Sequence, residues 1–530
     1  MSRTDGGSGF PARGGDRREF TSRTPVNENP DRVAYRRGFV TRHQVSGWRF
    51  IMRRIASGVA LHDTRMLVDP LRTQSRAMLV GALVLITGLA GCFVFSLIRP
   101  GGVAGNDAIL ADRTTSALYV RLGDQLHPVL NLTSARLIAG RPDNPTTVKT
   151  SEIDQFARGN LIGIPGAPER MVQNTTGDAD WTVCDGASGP AMGVTLIAAP
   201  LTDGGERAAA LMSNEAILVA NETGPNAGTW LLWDGRRSTI DLGDRAVTGA
   251  LGLGSEVPAS RSIAPGLFNA IPEAPALSAP AVPGAGEPTS YALPVPAPVG
   301  AVVTSFGADN SLQHYAVLRE GLQPISPVVA AILRNTNSFG LNQPPRLGAD
   351  DIARLPVASS IDDSAYPSEP VTIVDEADEP LTCAQWTRPA DATGGTLELR
   401  TGVTLPVSDD LRAVALVGAG SGTTADRVVL EPGSGFLVQT VGQDGGGAST
   451  QPVGGANFWL SDTGVRYGLD TESDQTTIAA LGLTPPPLPI PWSMLSQFAE
   501  GPTLSRTDAL LAHDGLAADP HPAVVRETRP

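Results

Sequence analysis

From Ala77 to Ile98 the chain runs 22 residues without a charge, between Arg76 and Arg99. At about 1.5 Å rise per residue, a helix of that length covers about 33 Å and crosses the hydrocarbon core of a bilayer. Pro100 and Gly101 end the run. Everything else in the chain must therefore fold on one side of it or the other. Arg65, Arg72 and Arg76 precede the run, and beyond Arg99 and Arg113 the flank turns neutral or acidic. The positive-inside rule then places residues 1–76 in the cytoplasm and the chain from Arg99 onward outside.

A cleaved signal is the rival reading, because Leu89-Ala90-Gly91-Cys92 matches a bacterial lipobox. Seventy-six residues ahead of the apolar run are far too many for a signal peptide. Phe93-Val94-Phe95-Ser96-Leu97-Ile98 also continues the apolar run where a lipoprotein turns polar. The segment reads as a retained anchor. Gly81, Gly88 and Gly91 would suit a close helix contact, yet glycine is common in membrane helices.

Charge divides at the same place. Residues 1–76 carry 15 Arg against 7 Asp and Glu, and the rest carries 25 Lys and Arg against 47 Asp and Glu. An outer body so acidic excludes a general nucleic-acid binder. With 59 Gly and 44 Pro, the body is built of short strands and many turns rather than long helices.

In the tail, residues 1–30 have the composition of a disordered segment. A helix is expected over about 44–61, where Val45, Trp48, Ile51, Met52, Ile55 and Val59 share one face while Arg49, Arg53 and Arg54 lie mostly opposite. Such a helix lies on anionic lipid, docks a partner's helix, or simply supports the entry into the membrane. Periodicity alone does not choose among these.

Beyond the membrane the sequence repeats itself. Four units carry an apolar strand, a glycine turn and a helix-like run: Leu118 to Gly123, Trp230 to Gly235, Tyr315 to Gly321, and Phe458 to Gly464. Gly123 and Gly321 are 198 residues apart, and Cys184 and Cys383 are 199 apart. Ala250-Leu251-Gly252-Leu253 recurs as Ala480-Leu481-Gly482-Leu483. The fold expected is mainly β with α+β repeat units, in two halves, 106–278 and 300–508. A Pro-rich linker over 279–299 joins them, and 509–530 is a flexible tail. Residues 194–197, 216–219, 396–399 and 436–439 read as strands of a shared central core. Cys184 and Cys383 hold equivalent places in the halves. They either form a bridge, contributing on the order of 5 kcal/mol by loop closure, or remain two buried thiols.

Chemistry is sparse. A P-loop needs Gly-Lys-Ser/Thr, but Lys149, the only lysine, follows Val148, and Asp143 stands where the first glycine belongs. No HExxH or paired CxxC occurs, and His127, His314, His513 and His521 are scattered. Gly420-Ser421-Gly422 does not make a nucleophile elbow. Asp375-Glu376 and Asp378-Glu379 read as solvated loop charges, although carboxylate pairs assembled in space escape a sequence reading. No catalytic residue, metal ligand or cofactor site is assigned. A membrane-tethered nucleotide or cell-wall hydrolase and a cell-wall-binding module remain the alternatives to a scaffold.

Residues Arg36 to Phe50 (RRGFVTRHQVSGWRF), Asp69 to Arg76 (DPLRTQSR) and Leu161 to Pro168 (LIGIPGAP) resemble the EccB subunit of mycobacterial type VII (ESX) secretion systems, most closely the paralogue of the iron- and zinc-responsive system. The resemblance covers nearly the whole chain. It implies a structural core subunit of a complex in the inner (plasma) membrane, single-pass, with the C-terminal domain in the periplasm. EccC-, EccD- and EccE-like subunits would be its neighbours, and it would self-associate through that domain. It further implies a six-stranded core with four repeat domains. Family members are sometimes labelled ATPases, while EccC is the recognised motor.

Overall fold

The structure, a computed structural model, describes residues 41–62, 70–98, 102–222, 225–254, 258–420, 422, 424–442, 455–471 and 476–515. The chain divides into two compact units, 1–100 and 101–530.

In the first unit, helix Arg42–Leu61 is opened by a capping box. The Gln44 amide donates to the Thr41 hydroxyl at 3.4 Å, and the Thr41 amide donates to the Gln44 side chain at 2.9 Å. A second helix, Pro70–Ile98, starts on a proline, whose missing N–H costs nothing in a first turn. Within it, Arg76–Phe95 is long and apolar enough to cross a membrane.

The second unit is organised on a seven-stranded sheet. Its order is Val414–Ala415, Arg427–Leu430, Gly193–Ala198, Ala179–Gly186, Leu381–Arg388, Thr396–Gly402 and Ala209–Ala210. Only Arg427–Leu430 pairs in parallel, with Gly193–Ala198. That strand enters beside Gly193–Ala198, whereas at the other edge Ala209–Ala210 pairs directly with Thr396–Gly402. The sheet therefore has seven strands where the resemblance implied six, and its two flanks are unequal. Trp181, Val183, Ala384 and Trp386 pack into the largest apolar cluster on one face. Cys184, Cys383, Ile197 and Val429 form another. Strands buried on both faces lose the apolar–polar alternation that marks half-buried ones. Ala179–Gly186 and Leu381–Arg388 accordingly escape a pattern-based reading.

Five smaller sheets accompany it among the described residues: one in each of modules A to D, and a two-stranded one, Leu161–Ile162 with Ala512–His513. In module A, Ile109–Asp112, Leu118–Leu122 and Gln125–Pro128 form an antiparallel meander. Helix Leu132–Ala139 leads to Thr146–Val148, parallel to the first strand, and helix Thr150–Ile153 leads to Ala157–Arg158, parallel to the third. Module B runs Glu215–Asn221, Gly228–Trp233, Arg236–Thr239, helix Arg245–Ala250, parallel strand Arg261–Ser262 and helix Pro265–Ala270. It closes on two parallel bridges, Glu273 to Arg237 and Leu277 to Ile240. Module C holds Val302–Phe306, Leu312–Val317, Leu322–Ile325 and helix Pro327–Thr336. Arg346 then bridges Thr304, and Val357 bridges Leu322 after helix Ala349–Arg354, both in parallel. Module D comprises Phe436–Val441, Asn457–Leu460, Val465–Leu469, helix Thr477–Leu481, parallel Leu488–Pro491, helix Trp492–Leu495 and parallel Ala499–Glu500.

Residues 216–219 and 436–439 thus open modules B and D and take no place in the central sheet, a correction to the sequence reading. Each is apolar for the same reason as a central strand, being covered on both sides, so composition does not separate them.

Modules A and D share one core, in which Ile109, Val120, Leu137 and Ile138 meet Leu437, Trp459, Leu481 and Leu504. Modules B and C share another, in which Leu231, Trp233, Val247 and Leu251 meet Val328 and Ile332. The Asn335 side chain donates to the Ala246 carbonyl at 3.1 Å across the second pair. The Pro-rich stretch 279–299 lies on module C rather than standing free: Leu293, Val295 and Ala297 pack against Val303, Val317 and Leu322. Near the C-terminus Ala512–His513 pairs with Leu161–Ile162, so the described part of 509–530 is bound to the body. Residues 516–530 lie outside the described residues.

Candidate functional site

The expected cysteines meet at the middle of the central sheet. Cys184 and Cys383 are register partners on Ala179–Gly186 and Leu381–Arg388 and form a disulfide spanning 199 residues. Both are fully buried. Three positions along the same ladder Trp181 faces Trp386, on the other side of the sheet. The Trp181 indole donates to the Pro489 carbonyl at 2.8 Å, tying this seam to module D.

Buried arginines make the other ties, and sequence reasoning missed them. Arg261 donates to the Thr382 hydroxyl and the Glu379 carbonyl at 3.0 Å each, and to the Val374 carbonyl at 2.9 Å. It fastens module B to a seam strand. Beside it the Asp185 carboxylate accepts from the Ala264 amide at 2.6 Å. Burial raises the Asp185 pKa; the Ala264 bond and Arg261 oppose this, while Asp426 and Glu376 push the same way as burial. The cavity here, lined by Asp185, Arg261, Leu267 and Thr382, measures about 10 Å³, room for one water. Arg237 donates to the Phe268 carbonyl at 2.7 Å and lies 3.8 Å over the Phe268 ring. Arg400 joins Asp203, Glu398 and Gln385, and Gln385 in turn donates to Asp180 at 2.9 Å. Such arginines knit strands together and leave little open volume. Arg400 lies one residue beyond the 396–399 strand read from the sequence, on Thr396–Gly402.

Among the described residues no group of three or more His, Cys, Asp or Glu is placed to hold a metal ion. His127 hydrogen-bonds the Asn160 carbonyl at 3.0 Å and His513 the Gly163 carbonyl at 2.7 Å. His314, on a strand of module C, has a depressed pKa because burial and Arg334 disfavour its charge.

Gly123, Gly235, Gly321 and Gly464 each sit between the second and third strands of their module. Gly123, Gly235 and Gly464 have positive φ, which a side chain resists. Gly321 does not, and its constraint is space, since a Cβ there would strike the Pro356 carbonyl. Trp48, Arg49, Ile51, Met52, Arg53, Arg54 and Ile55 all lie exposed on helix Arg42–Leu61. Arg76 opens the apolar span, and Arg99 lies outside the described residues.

Among the described residues, one helix of membrane-spanning length precedes a large, knitted β-rich body, the outline of a candidate membrane-anchored protein. Residues 37–518 match the family described as "Type VII secretion system ESX-1, transport TM domain B". A Mycolicibacterium smegmatis protein named "ESX-3 secretion system ATPase EccB3" is 64% identical over 98% of this chain and 99% of its own. The protein of the same name from Mycobacterium tuberculosis is 63% identical over 96% of each. A chain of the solved "intact ESX-5 inner membrane complex" aligns with a TM-score of 0.69 at 36% identity, over 93% of this chain and 99% of its own. A chain of the solved "EccB3 dimer from the ESX-3 core complex" aligns with a TM-score of 0.68 at 59% identity, over 77% of this chain and all of its own. The chain belongs to the EccB family of type VII secretion systems. Its identity of 63–64% to ESX-3 members, against 36% to an ESX-5 member, sets it with the ESX-3 paralogue.

Proposed function

We propose that this chain is a structural core subunit of an inner-membrane ESX secretion complex. The observation that carries this reading is likeness to chains solved inside such assemblies, over 93% of this chain in one and 77% in the other. Residues 77–98 anchor it, residues 1–76 lie in the cytoplasm, and the body from residue 106 lies in the periplasm; the arginine excess before Ala77 supports that direction. EccC-, EccD- and EccE-like subunits are its partners at the membrane, and the outer body self-associates. Helix Arg42–Leu61 docks the cytoplasmic parts of those partners through Trp48, Ile51, Met52 and Ile55.

The body is a duplication of halves 106–278 and 300–508, each giving two modules and part of the central sheet. The shared strand order of modules A to D supports this, as do the corresponding turn glycines. So does the pairing of A with D and B with C, which a two-fold relation between the halves would produce. The Cys184–Cys383 bridge then locks the halves at their seam.

Deleting residues 1–60 tests the reading. The shortened chain is expected to insert and keep its folded outer body but to lose co-purifying partners and secretion. Normal assembly and secretion would make the tail a passive leader. The relatives' names carry the word ATPase, so ATP turnover and peptidoglycan pull-down by the intact protein belong beside that assay. Turnover abolished by a single substitution would replace the scaffold with an enzyme.

A further inference from the structure

Residues 291–298 (YALPVPAP) lie across the outer face of module C. Side chains alternate between the two faces of that sheet. Val302 and Ala316 meet helix Pro327–Thr336 on one side, while Val303 and Val317 meet the proline stretch on the other. Tyr291, Leu293, Val295 and Ala297 are half-buried, whereas Ala292, Pro294 and Pro296 are exposed. Every second side chain is thus turned to the module. Each proline fixes its own φ and keeps the residue before it extended, so the stretch is stiff before it is seated.

Its two ends are tied and its middle is not. The Ser290 amide and hydroxyl donate to the Arg319 carbonyl at 3.2 and 2.6 Å. At the other end the Val299 amide donates to the Glu287 carbonyl and the Gly286 amide to the Val299 carbonyl, both at 2.9 Å. From Tyr291 to Ala297 the hydrogen bonds are local. The Thr289 hydroxyl donates to the Tyr291 carbonyl at 2.7 Å, and the Ala297 amide to the Val295 carbonyl at 2.9 Å. Among the described residues none runs from this middle to the sheet beneath, and the Tyr291 hydroxyl is buried with no partner. A hydroxyl buried unpaired is a cost that lifting relieves. Extended proline-rich peptides dock in this manner, by side chains set into a groove edged with aromatic rings. Tyr315 and Phe339 pack at this face. The chain therefore carries a seat and, tied over it, a segment of the kind the seat accepts.

We infer that residues 291–298 are a flap over a peptide-binding face of module C, whose ligand is an extended segment of a partner protein with prolines alternating with apolar residues. Opening leaves Val303, Val317 and Leu322 wet, so the flap stays lifted only when another chain takes its place. A second copy does not supply that chain. Its own stretch, fixed at both ends, reaches at most about 14 Å from them, too little to leave one module and lie along another. The inference deepens the assembly reading, on which the presence of a partner rests.

The probe is a fluorescent synthetic peptide of residues 290–299, and the receptor is the full chain in lipid nanodiscs. Leu293→Ser with Val295→Ser removes the grip of the flap and leaves the face itself unaltered. The peptide is expected to bind this variant at least about tenfold tighter than the unaltered chain, whose seat is filled in cis. A peptide with glycine for both Pro294 and Pro296 is expected to bind about tenfold more weakly, having lost its stiffness. In the otherwise unaltered chain Ala297→Cys reports the same opening. Excess peptide should speed thiol labelling at that position at least about threefold, read by mass spectrometry, and this measurement stands even where the double variant does not fold. No binding to a folded double variant overturns the inference, as does labelling of Ala297→Cys that peptide leaves unchanged. Equal binding of the glycine peptide overturns it too, and so does a double variant that fills the seat by pairing with a second copy, seen as a doubled mass. The assay contains no partner subunit and no secretion step, so its failure leaves the scaffold reading intact.

Discussion

Two helices of this chain carry the same apolar stripe and end differently. Pro327–Thr336, in module C, buries Val328, Val329, Ile332 and Leu333, with Val329 wholly inaccessible. Arg42–Leu61 has a comparable stripe over twice the length, and its Trp48 is 63% exposed. The first helix finds its cover within the chain, against helix Arg245–Ala250 and the strands of modules B and C. The described part of the chain supplies no cover for the second. A row of large apolar side chains left wet is costly, and in the proposed reading a partner subunit covers it. The covered stripe contributes to the stability of the outer body, and the uncovered one is where the proposed docking lies.

That contrast is most sharply broken by placing a charge on each stripe. Val329→Asp buries an unpaired carboxylate and is expected to cost at least about 4 kcal/mol, leaving little folded outer body in a protease-resistance assay. A resistant, folded variant would show the core of module C, where Val329 packs with Val302, Ala316 and Leu318, to be far looser than its burial implies. Cys184→Ser comes next. Loss of a bridge across 199 residues is expected to lower stability by about 3–5 kcal/mol, read as a lower urea midpoint. An unchanged midpoint would mean that the seam strands hold without their staple. On the exposed helix, Trp48→Asp with Ile51→Asp is expected to change the stability of the outer body by less than about 0.5 kcal/mol. It should weaken partner co-purification about thirtyfold, the loss of a 2 kcal/mol anchor. Partners retained at wild-type level would remove the distinction between the helices. Asn335→Ala should cost about 1 kcal/mol through the lost bond to Ala246.

The same contrast explains what the sequence disclosed. Helix Arg42–Leu61 and the apolar span were legible because each is surrounded by polar or charged neighbours, so periodicity or a charge-free run stands out. The turn glycines were legible because their positions recur. The cysteine strands were not, since Trp181 to Cys184 are buried consecutively and alternate with nothing. Parallel returns such as Arg261–Ser262 are two residues long, below what any pattern resolves. Their pairing depends on chain that is distant in sequence. The buried arginine ties were hidden for a related reason: Arg261 meets Val374, Glu379 and Thr382, all more than 110 residues away.

Those ties also set the smallest effect, which concerns Asp185. Burial raises its pKa above the ordinary carboxylate value of 3.8, and the Ala264 amide and Arg261 only partly offset that. In the unfolded chain the carboxyl ionises near that ordinary value; in the folded protein it holds its proton to higher pH. Between the two values the folded state binds more protons, so this group lowers stability as pH rises through that window. Above the folded value the cost is complete, and below about pH 4 it vanishes. Asp185→Asn keeps an oxygen to accept the Ala264 amide at 2.6 Å but never carries the charge. The variant is therefore expected to be slightly more stable than wild type at neutral pH, with the advantage closing as pH falls toward 4. Urea midpoints at the two pH values measure it. A variant that is less stable at neutral pH, with its deficit shrinking on acidification, would reverse the assignment. Attraction between the Asp185 carboxylate and Arg261 would then outweigh desolvation, and the knot would be a stabilising ion pair instead of a cost the body tolerates.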